Sequence, residues 1–309
     1  MNSVEIRDVT KTFGEVVAVD NLSLDVPAGS VYGFIGPNGS GKTTTLRMIM
    51  NIFYPDGGNI TVLGDSAPGA CTDRIGYLPE ERGLYRRMKV REVLRFYGEL
   101  KAGRSINREV DEWLGRMDLS AWADKKVETL SKGMSQKVQF IASVVSGPEV
   151  LILDEPFAGL DPVNTDVIRT AVLDLQEKGT TVIFSTHDMS MAERMCDFIF
   201  MIFKGRKVLD GTLASIQDEY GDDTLRVSCD GGGGAISDIK GIAKVNDFGQ
   251  TQDIRMVKGA DPQDILAAIM ARTAVKKFEV TRPSLHDIFV RIAGPEAREA
   301  ENAEDAQNS

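Results

Sequence analysis

The stretch GPNGSGKTT at residues 36–44 combines three glycines with a single lysine, between an apolar run at Val31–Ile35 and a helix-like segment at Thr44–Met50. Phosphate oxygens need several backbone N–H donors at one point, and a side chain larger than hydrogen would block that approach. A helix that begins here adds its unpaired N-terminal amides. We therefore predict a phosphate-binding loop, in which Lys42 reaches the β- and γ-phosphates of a nucleotide and the Thr43 hydroxyl binds Mg²⁺. The predicted binding residues of the loop are Gly36, Pro37, Asn38, Gly39, Ser40, Gly41, Lys42, Thr43 and Thr44.

A second chemical signal is a pair of adjacent acids, Asp154 and Glu155, at the end of the apolar run that begins at Leu151. Two carboxylates at the end of a buried strand contribute nothing to packing. They suit catalysis if Asp154 holds Mg²⁺ and Glu155 polarises an attacking water. His187 follows the next apolar run, Thr181–Phe184. A lone histidine is usually structural, but the carboxyl ends of neighbouring parallel strands share one edge of a sheet, so we expect His187 beside the γ-phosphate.

These residues require a sheet to position them, and the first two hundred or so residues alternate strand-like and helix-like segments. Short apolar runs such as Val150–Leu153 are typical of strands that are covered on both faces. The predicted helix at Val167–Glu177 ends at a lysine and a glycine, and the one at Met134–Ser146 ends at Gly147 and Pro148. We predict an α/β fold with a mainly parallel sheet. Further predicted strands are Val4–Val9, Leu22–Val26, Val31–Ile35, Asn59–Leu63, Arg74–Leu78 and Thr181–Phe184.

Other parts of the chain have different patterns. Lys89–Lys126 lacks a strand pattern and is predicted to be a helical insertion. After about Glu219 a new series of strands and helices indicates a small α+β domain, with a hinge at Gly231–Gly234. From Pro295 to Ser309 five acids accompany a single base, which predicts a disordered tail. The predicted division is a domain at 1–218 with a helical subdomain at about 86–147, an accessory domain at 219–293, and a tail at 294–309. Within the accessory domain we predict strands at 224–228, 242–246, 254–258 and 275–280, and helices at 262–272 and 284–292.

The composition of the 309 residues, with 42% hydrophobic and 27% charged residues, is ordinary for a globular protein. The net charge of -10 disfavours non-specific binding to nucleic acid. Met1–Val9 already contains charged residues, so we expect no secretory signal. The longest apolar runs, Ile265–Ala271 and Phe198–Phe203, are much shorter than the roughly 18 to 20 residues that a bilayer requires. Three widely spaced cysteines predict reduced thiols.

With these motifs in this order, the chain resembles the ATP-binding subunit of an ATP-binding-cassette (ABC) transporter over about Val4–Gly211. The resemblance implies a P-loop NTPase fold with an antiparallel β subdomain and a helical subdomain. It implies an ATPase with ATP and Mg²⁺ as cofactors, in which Glu155 is the catalytic base and His187 assists it. It also places Phe13 where an aromatic ring stacks on adenine. The motifs that carry it are the loop at 36–44, LSKGM at 130–134, LILDE at 151–155, Gly159-Leu-Asp161 with Pro162, and His187.

Subunits of this family act as head-to-tail dimers that trap two ATP molecules. The resemblance implies that Ser131 and Gly133 bind the γ-phosphate of a nucleotide held by the partner, and that Asp161 crosses the interface. The residues themselves support a second anion site, because Ser131 and Gly133 precede a helix. Two positions depart from the usual LSGGQ signature, with Lys132 at the first glycine and Met134 at the glutamine.

A further departure lies in the segment YLPEERGLY at 77–85. The family usually has glutamine at the position of Glu80, where that side chain meets Mg²⁺ and senses the membrane partner. A carboxylate can also direct an oxygen to a metal, but it adds negative charge near the γ-phosphate. The runs PEERGLY and LSKGM, together with RPSLHDIF at 282–289, resemble the branch of ATPases of sodium, drug and antibiotic efflux exporters, which carry a small C-terminal domain.

The segment Leu84–Arg95 interleaves five bases with apolar residues. A solvated basic helix face is one interpretation. The resemblance favours another, a groove for a cytoplasmic helix of the membrane permease, with Tyr85 and Met88 in contact with it. The expected partners are a second copy or a related ABC subunit and an integral membrane permease, without nucleic acid. The expected location is the cytoplasmic face of the cell membrane, where the bases would meet anionic lipid.

Two other functions stay open at this point. The chain could be a soluble ABC ATPase that acts on ribosomes or DNA, although relatives of that kind carry two cassettes or long coiled coils. It could also be a binding module that has lost catalysis, which would require a replaced Glu155 or His187. Both residues are present.

Overall fold

The computed structural model describes residues 1–67, 69–81, 83–221 and 224–294. They form two compact units, one at Met1–Thr212 and a second that begins at Leu213. The sequence-predicted boundary at residue 218 falls inside the first helix of the second unit. That helix belongs there because Ile216 is buried and Gln217 Nε2 donates to the Pro283 carbonyl at 3.0 Å. The predicted tail lies outside the described residues, except that Gly294 is helical.

The first unit contains nine strands and six helices among its described residues. In chain order they are β1 (Asn2–Phe13), β2 (Val16–Pro27), β3 (Val31–Ile35), α1 (Lys42–Ile49), β4 (Gly57–Val62), β5 (Ile75–Leu78), α2 (Val90–Ala102), α3 (Asn107–Arg116), α4 (Lys132–Val144), β6 (Val150–Asp154), α5 (Pro162–Glu177), β7 (Thr181–Thr186), α6 (Met189–Met195), β8 (Phe198–Phe203) and β9 (Arg206–Gly211).

A six-stranded sheet with the order β5-β6-β7-β3-β8-β9 forms the centre of this unit. All neighbouring strands are parallel except β8 and β9, so the predicted mainly parallel sheet is confirmed. Every residue of β3, β6 and β7 is buried, which explains their mostly apolar character. The register pairs Ile35 with Thr186 and Asp154 with Ser185. The segments that follow these three strands therefore emerge at one edge of the sheet.

Two sequence interpretations need correction here. The run Phe198–Phe203, considered above only for its length relative to a bilayer, forms strand β8, between β3 and β9. The predicted strands at 4–9 and 22–26 are parts of the much longer β1 and β2. Asp8 and Asn21 have left-handed backbone angles (φ 51° and 47°) close to shifts in the register of this pair. Those irregularities interrupt the alternation of polar and apolar residues that marks a strand.

The antiparallel sheet has the order β2-β1-β4 and covers one part of the core. On the other side, the predicted helical insertion forms α2 and α3, which pack with α4 around a second part of the core. The Trp113 ring meets Phe140 of α4 edge-on, with 5.9 Å between centroids. The insertion is thus held against the same helix that begins at the LSKGM segment.

The second unit contains α7 (Leu213–Tyr220), β10 (Thr224–Cys229), β11 (Ile242–Asp247), β12 (Gln252–Met256), α8 (Pro262–Met270), β13 (Val275–Thr281) and a helix at 285–294. Its antiparallel sheet has the order β11-β12-β10-β13, as expected for an α+β unit. The predicted hinge at Gly231–Gly234 is instead a turn within this unit, closed by a hydrogen bond from Gly233 N to Asp247 Oδ2 (2.5 Å). Within the described ranges, no helix has the length and apolar character that crossing a membrane would require.

Candidate functional site

The glycine loop joins β3 to α1, and its backbone explains its composition. Gly36 and Gly41 have φ values of 153° and 109°, which favour glycine. A Cβ atom on Gly36 would lie 2.2 Å from the Ile202 carbonyl oxygen, and one on Gly41 would lie 2.5 Å from that of Ala18. These carbonyl oxygens belong to the backbone of β8 and β2, so moving them aside would cost free energy by disturbing the strands. Glycine at both positions therefore lets the loop pack against β2 and β8 while its N–H groups lie at the start of α1.

The Lys42 ammonium group lies over this loop. Lys42 is 5% exposed, and its Nζ donates hydrogen bonds to the carbonyl oxygens of Gly36 (2.7 Å) and Pro37 (3.0 Å). The buried Ser40 hydroxyl has no hydrogen-bond partner among the described residues. A buried polar group without a partner is costly, so the Ser40 hydroxyl fits a polar ligand in the loop.

Asp154 ends β6 and is 1% exposed. Its Oδ1 accepts hydrogen bonds from Ser185 Oγ (2.5 Å) and Thr43 Oγ1 (3.2 Å). Its Oδ2 is buried, without a hydrogen-bond partner in the described part of the chain. A carboxylate oxygen and a hydroxyl are the hard ligands that Mg²⁺ prefers, and Mg²⁺ commonly takes only one or two protein ligands beside phosphate. Thr43 and Asp154 therefore fit a phosphate-bound Mg²⁺.

Glu155 and His187 form a pair at the same edge of the sheet. The Nδ1 atom of His187 lies 3.0 Å from Glu155 Oε1. The Glu155 side chain is 9% exposed and that of His187 is 58% exposed. Glu155 has a left-handed backbone (φ 48°), which is uncommon for a residue with a long side chain. Backbone strain of this kind is typical of functional sites. Here the left-handed conformation turns the chain at Glu155 away from the direction of β6, which ends at Asp154.

A cleft of about 560 Å³ is lined by Lys42, Thr43 and Glu155 from the segments described above. Its size suits a small-molecule ligand. Its lining includes most of the predicted loop together with Glu80 and Glu155. Lys204 and the start of β2 complete its wall and were not predicted from the sequence. The lining residues are Val16, Val17, Ala18, Asn38, Gly39, Gly41, Lys42, Thr43, Thr44, Glu80, Glu155 and Lys204.

Phe13 lies at the end of β1, where it pairs with Val16, a residue of the cleft wall. Its ring is not part of the cleft lining itself. Phe13 is 44% exposed, and the edge-on ring of Phe53 supports it at 5.3 Å between centroids. An exposed aromatic face next to the cleft can stack on a planar ligand.

Three other predicted residues lie together, outside the cleft lining. Ser131 caps α4 by accepting a hydrogen bond from Met134 N (3.2 Å), and Asp161 caps α5 by accepting one from Asn164 N (2.9 Å). A Cβ atom on Gly133 would lie 3.0 Å from Asn164 Nδ2, so the two helix starts are adjacent. The backbone N–H of Asn164, and then its side-chain amide, lower the pKa of Asp161. The structure thus brings these residues to one another and not to the glycine loop of the same chain.

Sequence reasoning missed Ser185, which contacts both acids at the end of β6. Its hydroxyl donates to Asp154 and accepts from Glu155 N at 3.1 Å. The available signal was its place at the carboxyl end of β7, two residues before His187.

Two family models match the chain. One, described as ABC transporter, matches residues 19–158, and the other, described as the C-terminal domain of DrrA1-3-like ATP-binding proteins, matches residues 211–293. Among curated proteins, the chain is 40% identical to an uncharacterized ABC transporter ATP-binding protein, YhaQ of Bacillus subtilis, over 94% of this chain and 98% of the relative. It is 33% identical to the Nod factor export ATP-binding protein I of Burkholderia lata, over 96% of this chain and 98% of that protein.

A solved structure described as the ATP-binding subunit of an ABC transporter aligns with the chain at a TM-score of 0.66 and 29% identity. The alignment covers 70% of this chain and 92% of the solved one.

Proposed function

The chain belongs to the ABC transporter family of ATP-binding subunits, which hydrolyse ATP, and from this membership we propose that it powers an exporter whose membrane-spanning permease is a separate protein. The observation that carries the proposal is a cleft lined by Lys42, Thr43 and Glu155, in which Thr43 is hydrogen-bonded to Asp154 and Glu155 contacts His187. Each group matches a requirement of phosphoryl transfer to water. The catalytic residues are intact, which supports an ATPase over a binding module.

The chemistry follows from the positions of these side chains. The loop amides and Lys42 bind the phosphates, and Thr43 and Asp154 hold Mg²⁺, which neutralises negative charge on the phosphate oxygens. Glu155 orients the attacking water and accepts its proton, since its carboxylate lies in the cleft and is largely shielded from solvent. His187 fixes that carboxylate through the 3.0 Å contact. Glu80, an exposed acid in the same lining, could supply a further oxygen ligand to a bound Mg²⁺.

We assign adenine binding to the exposed ring of Phe13 beside the cleft wall. Stacking of a base on an aromatic ring contributes about 1–3 kcal/mol. The hydroxyl of the tyrosine that is more usual in the family is not needed for stacking.

The proposal includes a dimer in which Ser131 and Gly133 of one copy meet the nucleotide of the other. Support comes from their position outside the cleft of their own chain, at the start of the 13-residue helix α4. Such a helix start binds anions through its free amides. Asp161 and the exposed Val163 beside it then lie at the same interface. Closure around two ATP molecules and reopening after hydrolysis convert binding energy into motion of the permease.

Export is supported by the Nod factor export proteins among the relatives. We place the permease contact on an aromatic surface formed by Tyr85 and Phe96 together with the neighbouring Leu100. Tyr85, Phe96 and Leu100 are 53%, 44% and 74% exposed, and the Tyr85 and Phe96 rings meet at 5.7 Å. Exposed aromatic residues are typical of interface cores. The subunit would then lie at the cytoplasmic face of the membrane.

The sequence-based expectation for this surface changes in two respects. Met88 is half-buried and packs against the core of the helical insertion, so it is a poorer contact than Phe96. Two of the five bases have acidic partners within the unit, because Arg91 pairs with Asp111 and Arg95 with Glu99. These ion pairs reduce the charge that the segment can offer to anionic lipid.

The proposed activity is tested by Glu155→Gln, which keeps the shape of the side chain and removes its basicity. We expect ATP turnover to fall by about 10²–10⁴-fold, the usual contribution of a general base, while Mg-ATP still binds. Glu177→Gln, at the exposed end of α5, is the matched control and should keep the parent rate. Steady-state phosphate release and calorimetric ATP binding give the two readouts. Hydrolysis by Glu155→Gln at the parent rate would refute the role assigned to Glu155.

A further inference from the structure

Ser185 occupies a position between the two acids of the site. It is the fifth residue of β7, and it is fully buried. Its Oγ lies 2.5 Å from Asp154 Oδ1 and 3.1 Å from the backbone nitrogen of Glu155. A carboxylate can only accept and a backbone N–H can only donate. The direction of both hydrogen bonds is therefore fixed: the hydroxyl donates to Asp154 and accepts from Glu155.

The bond to Asp154 distinguishes the two oxygens of that carboxylate. Oδ1 is engaged by Ser185 and Thr43, whereas Oδ2 has no hydrogen-bond partner in the described ranges. Asp154 also borders a small cavity of about 20 Å³, which it shares with Glu80 and Glu155. That volume is sufficient for a single water-sized occupant. Because Ser185 satisfies one oxygen, the other is left as the ligand available to a cation.

The bond from Glu155 N has a second consequence. Glu155 has a left-handed backbone, and a conformation of this kind persists only where the surroundings hold it. The Ser185 hydroxyl stabilises this conformation, because it accepts a hydrogen bond from the backbone N–H of Glu155. The same strand continues to His187, whose ring contacts the Glu155 carboxylate. The backbone and the side chain of Glu155 are thus both tied to β7 and the residues just beyond it.

We propose that Ser185 is a positioning residue that sets the relative geometry of the metal-binding acid and the catalytic base. One hydroxyl group turns the free oxygen of Asp154 towards Mg²⁺ and holds the turn that presents Glu155 to water. This inference rests on the proposed ATPase function. Alanine at this position leaves Glu155 N without its acceptor and Asp154 Oδ1 with Thr43 alone, whereas threonine keeps the hydroxyl.

The test compares Ser185→Ala, Ser185→Thr and the control Ser143→Ala. Ser143 is also a buried serine, 5% exposed, whose hydroxyl donates to the Phe140 carbonyl at 2.7 Å within α4. Calorimetry measures ADP affinity with and without Mg²⁺, and steady-state kinetics gives kcat and KM for ATP. Substitution of residues that orient metal ligands usually lowers metal affinity or activity by about 10–100-fold.

For Ser185→Ala we expect the gain in ADP affinity that Mg²⁺ provides to fall by about 10-fold, with metal-free ADP binding unchanged. We expect kcat to fall by about 10–100-fold with a much smaller change in KM. Ser185→Thr should restore both quantities to within about threefold, and Ser143→Ala should leave both at parent values. A thermal melt identifies any variant that is unfolded.

An unchanged Mg²⁺-dependent gain and an unchanged kcat in folded Ser185→Ala would overturn the inference and leave the ATPase function intact. Equal losses in Ser143→Ala would overturn it as well, because they would indicate a general effect of removing a buried hydroxyl. A parent protein that neither binds nor hydrolyses ATP would instead overturn the proposed function itself.

Discussion

The two adjacent acids of the site, Asp154 and Glu155, have different surroundings. Asp154 and Glu155 are neighbours in the chain, yet one is enclosed at the end of β6 and the other faces the cleft. Successive residues of a strand point to opposite faces, and the left-handed backbone of Glu155 adds a sharp change of direction. Adjacent carboxylates can therefore take separate roles without competing for the same ligand.

The ring of Phe13 is supported from another direction by a cation. Lys11 Nζ lies over the ring at 5.4 Å from its centroid and forms an ion pair with Asp56 Oδ1 at 2.9 Å. Hydrogen bonds from Lys11, and then from Thr12, lower the pKa of Asp56 to about 2, so this carboxylate is ionised at neutral pH. The Phe13 ring is consequently held by Phe53 and Lys11, while the residue stays 44% exposed.

Nucleotide binding should therefore depend on Lys11 only when the ligand carries a base. We expect Phe13→Ala to weaken Mg-ADP by about 10-fold and Lys11→Met to weaken it by about two- to fivefold, the range of an exposed cation–π contact. Calorimetry with Mg-pyrophosphate, which lacks the base, should give parent affinity for both variants. A matching loss of pyrophosphate affinity in Lys11→Met would contradict this, because it would make Lys11 a charge that attracts phosphate.

At the scale of elements, α2 has two different faces. Its buried residues pack against α3 and α4, while Phe96 and Leu100 point to solvent beside Tyr85. Exposed apolar patches of this kind mark interaction sites more often than isolated surface residues do.

The double variant Tyr85→Ala/Phe96→Ala tests the aromatic surface as the contact for the permease. We expect association with the co-expressed permease to weaken by about 30-fold or more, as for aromatic hot spots, and transport to be lost. ADP binding should stay at the parent value, since neither residue lines the cleft. Met270→Ala, at a 65% exposed position of the second unit, is the control. Normal co-purification and transport by the double variant would rule out this surface as the contact.

Sequence patterns predicted the elements whose local signals are strong. The glycine loop, the apolar strands β3, β6 and β7, and α5 with its basic and glycine stop were all visible before the structure. The full lengths of β1 and β2 were not, because left-handed residues break their alternation. Ser185 was missed for another reason: its role depends on the register of β6 and β7, which periodicity does not reveal.

At the scale of the whole molecule, the two compact units differ in how far their roles could be inferred. The first unit carries every predicted site residue, and its site is formed by segments that are distant in sequence. The second unit was recognisable as α+β from its pattern, but its boundary was placed too late, because α7 looks like a continuation of the preceding strands and helices. Its role is not encoded by any motif of known chemistry in the sequence.

We propose that two copies enclose ATP between the glycine loop of one and the Ser131 helix start of the other. Gly133→Asp places a negative charge at that start and leaves the cleft of its own chain untouched, since the position is outside the lining. A Cβ there would lie 3.0 Å from Asn164 Nδ2, so this side-chain amide has to move by a few tenths of an ångström to make room for it. This substitution separates nucleotide binding from dimer closure.

The most direct measurement is the mass of Glu155→Gln in solution with saturating Mg-ATP, by analytical ultracentrifugation. We expect a dimer with ATP, a monomer with Mg-ADP, and a monomer with ATP when Gly133→Asp is added, although this double variant still binds Mg-ADP normally. A Glu155→Gln protein that stays monomeric with saturating ATP, alone and with its permease, would exclude the enclosed dimer.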